Sequence, residues 1–150
     1  MIALGMALAI VLAQAPTSPA AVPMILEGPN SRTIAKGDQS HIDAARQVLV
    51  RTPAEWAALW QQHAPDHPLP RVDFTREMVV GVFMGSRPNA GFSTAIVSTT
   101  ATPSGTLLVR YTEKIPAPGS ITAQILTFPF HLVAIPKADV KDVQFEKVEK

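Results

Sequence analysis

The sequence predicts an α+β domain. About six strands form a mainly antiparallel sheet, curled toward a barrel or a sandwich, with one N-terminal amphipathic helix packed on it. Three observations lead there. Residues 77–114 hold three β-rich segments separated by the short turns Arg87-Pro88-Asn89-Ala90-Gly91 and Pro103-Ser104-Gly105, and short turns impose antiparallel pairing because parallel neighbours need a crossover of a dozen or more residues. Thr52-Pro53-Ala54-Glu55 is a helix start, followed by apolar residues at helical spacing. Glu77 to Ser86, EMVVGVFMGS, is an unbroken apolar run of strand length, which fits a strand covered on both faces.

Each element can be read in order. Residues 1–15, MIALGMALAIVLAQA, contain 13 hydrophobic residues. The run Ile2 to Leu12 has the length of a signal-peptide core and falls short of the ~20 apolar residues of a spanning helix. Ala13-Gln14-Ala15 has the small-x-small form of a cleavage site. The expectation is a signal peptide over 1–15 and export to the periplasm or the medium of a bacterium. No stable membrane insertion is expected after cleavage. Residues 16–31, rich in proline and small residues, read as a flexible tether, and 32–150 as the domain. Arg32 to Ser40 is polar and reads as a turn around Gly37-Asp38. Gln47 to Arg51 reads as a strand.

The helix is expected over 53–63, with Thr52 at N-cap, Pro53 at N1 and Glu55 at N3. Trp56, Leu59, Trp60 and His63 then share one face, and two indoles on so short a helix need a sheet to pack against. After a proline-rich loop come the strands Glu77–Ser86, Phe92–Thr100 and Thr106–Lys114. Ile115 to Gly119 is a stiff connection. Ile121 to Ile135 reads as a long strand interrupted at Pro129, hence an edge or a bulge there. Val140 to Val148 closes the domain.

Composition removes several classes. The chain has 150 residues, no cysteine, 14 prolines and a net charge of +1. It therefore has no disulfide, thiolate metal site, cysteine nucleophile or lipidated cysteine. A charge so near zero gives no field for nucleic acid. All 14 prolines lie beyond residue 15, about twice the usual ~5% frequency.

The chemistry-bearing residues are few. His63, Asp66 and His67 have a metal-like spacing, but Pro65 and Pro68 interrupt any helix there and His63 falls on the tryptophan face. No metal and no cofactor are expected. There is no G-x-S-x-G nucleophile turn, no G-x-x-x-x-G-K-[ST] loop and no G-x-G-x-x-G. Ser86, His131 and Asp73 could supply a serine-hydrolase set, a trio that occurs by chance in chains of this size. The stretch holding Gly85, Arg87, Asn89 and Gly91 is either a β-turn needing φ > 0 or a binding loop on a rigid sheet. Phe128-Pro129-Phe130-His131 is either core packing or an aromatic edge for a partner strand.

Taken in order, Thr52-Pro53-x-Glu55-Trp56-x-x-Leu59-Trp60, His63, Val72-Asp73-Phe74, Met78 to Phe83, Gly85-x-Arg87-Pro88-x-x-Gly91-Phe92 and Thr127-x-Pro129-x-His131-Leu132-Val133 resemble the C-terminal domain of the PrcB-like protease-complex subunit family. The resemblance implies an exported, non-catalytic accessory domain that associates with and stabilises a secreted protease. On that reading Gly85, Arg87, Asn89, Gly91, Phe128, Pro129 and His131 belong to the binding surface. Thr52, Pro53, Glu55, Trp56, Trp60, Asp73 and Phe74 are structural. The alternatives are a small hydrolase or ligand-binding enzyme centred on His131, and a structural envelope module without a specific ligand.

Overall fold

The computed structural model describes residues 23–25 and 31–149. The expected signal peptide and most of the expected tether lie outside the described residues. The elements run β1 (Pro23–Ile25), β2 (Arg32–Gly37), β3 (Arg46–Val50), α1 (Pro53–His63), β4 (Glu77–Phe83), β5 (Ser93–Ala101), β6 (Thr106–Lys114), β7 (Phe130–Pro136) and β8 (Asp142–Lys147).

Local chemistry accounts for α1. Thr52 is extended, and its Oγ1 accepts the Glu55 N–H at 3.2 Å. Pro53 occupies the first turn, where its missing N–H is no loss. The Glu55 carboxylate reaches back to the N–H of Arg51 at 3.5 Å. Ala64 ends the helix, its N–H donating to Trp60 O at 2.8 Å. Thr52→Ala is expected to destabilise the fold by about 1 kcal/mol through the lost cap. A urea midpoint unchanged by that substitution would show that the cap is replaced by water without penalty.

The strands form two four-stranded sheets, ordered β1-β5-β6-β8 and β2-β7-β4-β3. The second is covered on both faces, because strand side chains alternate. On one face Val79, Phe83, Phe130 and Leu132 pack with Trp56, Leu59, Trp60 and Phe74 from α1 and the segment after it. On the other, Met78, Val80, Val82, Val133 and Ile135 pack with Ile96, Leu107, Val109 and Tyr111 of the first sheet. The result is three layers: helix, sheet, sheet. This explains why β4 reads as an unbroken apolar run, and it makes β7 a covered central strand where an edge or a bulge was expected. Gly81 lies on the helix side, where a Cβ would come within 2.6 Å of Leu132 Cδ2 and 3.0 Å of Val48 Cγ2.

Of the two expected arrangements, barrel or sandwich, the two packed sheets form the sandwich. Four other expectations change. The helix follows three strands, so it is not N-terminal to the sheet. Residues 32–37 form an edge strand and not a turn: their polar pattern is that of a half-exposed edge, held by the ladder with β7 and bulged between Thr33 and Ala35. The β6–β8 pair is parallel, because β7, in the other sheet, lies between them in sequence and provides the crossover. Within Ile121–Ile135, only the part from Phe130 onward is strand. The residues before Pro129 find no continuous ladder partner, and proline has no N–H to offer one.

Candidate functional site

Two loops far apart in sequence meet at the end of β4 and β7. Gly85 leaves β4 with φ +76°, where a Cβ would lie 2.7 Å from Ala45 N and 2.8 Å from Asp43 O; only glycine fits there without strain. Met84 N–H donates to Pro129 O at 2.9 Å, and Ser86 N–H to Asp43 O at 2.9 Å. Arg87 and Thr127 then exchange both backbone hydrogen bonds, 2.7 and 2.9 Å. Asn89 closes the turn: its Oδ1 accepts the Gly91 N–H at 2.9 Å and its carbonyl accepts Thr127 Oγ1–H at 2.8 Å. Gly91 lies directly against Pro116 and Thr122, and Ala90 N–H donates to Ala123 O at 3.0 Å.

These contacts pin the irregular segment 115–126 onto the loop 85–91. That segment presents Ile115, Ile121, Ile125 and Leu126, each more than half exposed, and Ile121 is fully exposed. Apolar side chains gathered in this way on a supported loop mark an interaction surface more often than scattered ones do. The sequence reading did not single out this stretch, because it took 121–135 for one strand. Its signal was the run ITAQIL with no ladder partner.

The aromatic pair divides. Phe130 is buried between α1 and the sheet, 4.2 Å from the His63 ring and 6.3 Å from Phe83. Phe128 is half-buried and Pro129 fully buried. Phe128 bonds backbone to backbone with Asp38 and Ser40 in an isolated bridge opposite Gln39, so its backbone does not form a free edge.

His131 sits between the two sheets. Its Nδ1 accepts the Ile96 N–H at 2.9 Å, at the bulge in β5. The neutral ring must therefore carry its proton on Nε2, which faces Thr33 Oγ1 at 3.0 Å. Burial lowers its pKa to about 4, with a smaller push from Lys36. Nδ1 ties β7 to β5 of the other sheet and Nε2 ties it to the neighbouring strand β2 of its own sheet, and these partners are a backbone amide and a threonine, not the serine or carboxylate of a hydrolase set. Asp73 lies at a distance on the exposed turn before β4, where its Oδ1 accepts the Thr75 N–H and Oγ1–H. These bonds hold its carboxyl below the usual range.

A second buried histidine, His63, belongs in the sequence both to the tryptophan face and to a metal-like spacing with Asp66 and His67. His63 lies among Trp60, Phe83 and Phe130, with ring centroids 4.2–5.6 Å away. Its Nδ1 is 2.8 Å from Ser40 Oγ, and that hydroxyl also accepts the Ile42 N–H at 3.1 Å. His41 N–H donates to His63 O at 2.9 Å. Ser40 is 2% exposed, so the Ser–His pair ties the 38–42 segment to the end of α1. Burial lowers the His63 pKa to about 4, helped by His41 and His67. His67 itself is exposed. Beside His63 opens a groove of about 460 Å³ whose walls include Trp60, Phe130, Ala64 and Lys36. Among the described residues, no cluster of three His, Asp or Glu side chains could hold a metal, and no helix is long and apolar enough to cross a membrane.

The geometry defines a mainly β domain of two sheets and a helix, with a surface of two joined loops where the β4 loop meets the start of β7. Residues 78–136 match the family model described as PrcB C-terminal. The matched stretch begins in β4 and ends with β7, so it contains both loops of the surface; the capped helix lies outside it. No curated protein and no solved structure matches the chain.

Proposed function

We propose that this protein is an exported, non-catalytic accessory domain that binds and stabilises a secreted protease. The observation that carries the reading is the joining of the 85–91 and 127–131 loops into one rigid surface continuous with the exposed aliphatic segment 115–126. The PrcB C-terminal match covers that same surface. The leader-like residues 1–15 support export. Catalysis is left out of the reading because both ring nitrogens of His131 and the Nδ1 of His63 are bonded to the scaffold.

The test is affinity capture from the exported protein fraction, using wild type and an Ile121→Ser/Ile125→Ser variant. Wild type should recover a protease and the variant should lose most of it. Repeated capture with no stable protease partner would end this reading. The groove beside His63 supports a second one, a module binding a small apolar ligand, since its volume falls in the usual range of ligand pockets. Saturable shifts of the Trp60 indole signal on adding an aromatic small molecule, without any protein partner, would favour it.

A further inference from the structure

Arg87 is held more firmly than a surface arginine needs to be. Its backbone makes both hydrogen bonds of the bridge to Thr127. Its guanidinium carbon sits 5.5 Å from the centroid of the Phe92 ring, a cation–π arrangement that orients the group. Arg87 takes part in none of the ion pairs among the described residues, which join Arg32 to Glu77, Arg76 to Asp73, Arg110 to Glu146 and Lys147 to Glu113. Its Nε is buried with no hydrogen-bond partner, although the residue as a whole is only half-buried. A desolvated N–H without an acceptor is unfavourable by about 1–3 kcal/mol. Stacking on Phe92 offsets part of that, and the cation is left without a counter-charge.

We propose that Arg87 is the carboxylate-recognition point of the partner-binding surface. It receives an Asp, a Glu or a C-terminal carboxylate of a protein segment whose neighbouring apolar side chains lie on Ile125 and Leu126. The argument is charge complementarity. The two terminal N–H groups of the guanidinium, fixed in direction by the Phe92 ring and without a partner among the described residues, match a carboxylate end-on with two parallel hydrogen bonds, while the buried Nε–H stays beneath them. Among the described residues the chain supplies no such group there, while Leu126 and Ile125 directly precede the residue bridged to Arg87 and are exposed. The occupant is therefore acidic and apolar together. The proposal rests on the protein-binding reading above and names the chemistry of the partner.

The test titrates the full chain with the peptide Ac-Leu-Leu-Glu-NH2 and with its uncharged counterpart Ac-Leu-Leu-Gln-NH2, following the Arg87 side-chain N–H and the Thr127 amide by NMR. The acidic peptide should shift both signals and bind at least about tenfold more tightly. The preference should fall with added salt and disappear in Arg87→Gln. Arg87→Lys should retain only a small part of it, because the charge stays and the fork is lost. Both variants keep the backbone bridge, and a thermal melt checks that they fold. Equal binding of the two peptides, binding of neither at millimolar concentration, or a preference that survives Arg87→Gln overturns the proposal. Failure of the two readings is separable. A captured protease that binds Arg87→Gln as well as wild type removes the role of Arg87 and leaves the accessory reading. A carboxylate preference with no captured partner does the reverse.

Discussion

Lowering the pH from 7 to 4 will strip this fold of roughly 6 kcal/mol, most of its stability on the scale of small domains. His63 and His131 both have pKa values near 4 in the folded chain, against an ordinary 6.5. Below 6.5 the unfolded chain takes up protons that the folded chain refuses. The stabilisation is therefore complete above about pH 6.5 and is lost progressively as the pH falls toward 4. Each histidine contributes about 3 kcal/mol, from the two and a half units between the two states. The bonding states the cause for His131 most directly. Protonating Nδ1 would set an N–H against the Ile96 N–H it now accepts and break the tie between the sheets. For His63, the charge would be placed among Trp60, Phe83 and Phe130. Urea unfolding at a series of pH values, with both imidazoles followed by NMR, checks this. A flat stability profile from 7 to 4, or either ring titrating near 6.5 in the folded protein, would refute the assignment.

Trp60→Ala will remove about 3–5 kcal/mol, the range for truncating a large core side chain. The indole is 8% exposed, 5.5 Å from Trp56 and 5.0 Å from His63. Its Nε1–H donates to His67 O at 3.0 Å. The substitution thus opens a cavity beneath α1 and releases the loop after it. The cavity also adjoins the groove beside His63, so water reaching the imidazole should raise its pKa toward the ordinary value and narrow the acid-sensitive window. A Trp60→Ala protein as stable as the parent would show that α1 does not dock through that face.

The parts of this fold legible in the residues are those decided within a few positions. The cap Thr52-Pro53-Ala54-Glu55 sets the start of α1, because the donors it satisfies are three residues away. The run in β4 announces two covered faces, because a strand exposed on one side alternates; β7, read as an interrupted edge or bulged strand, is instead a central strand. Gly85 and the Asn89 turn are visible for the same reason: positive φ and an Asx bond are local. Even the two loops that meet at Arg87 and Thr127, 85–91 and 127–131, could be picked out one at a time.

What stayed hidden depends on partners distant in the chain. The strand β2 is polar and half-exposed, and only its ladder with β7 makes it a strand. The parallel pairing of β6 and β8 follows from β7 entering the other sheet, which no turn signal records. His131 looked like a candidate for catalysis until Thr33 and Ile96, 98 and 35 residues away, took both of its nitrogens. Ser40 carried no signal at all before the end of α1 brought His63 against it. Short-range hydrogen bonding and side-chain alternation were enough to settle the helix, its cap and the covered strand β4. The choice of sheet neighbours, the burial of two neutral histidines and the joining of two loops around Arg87 and Thr127 were decided by the tertiary structure, because each rests on contacts whose free energy appears only once separate segments are packed together.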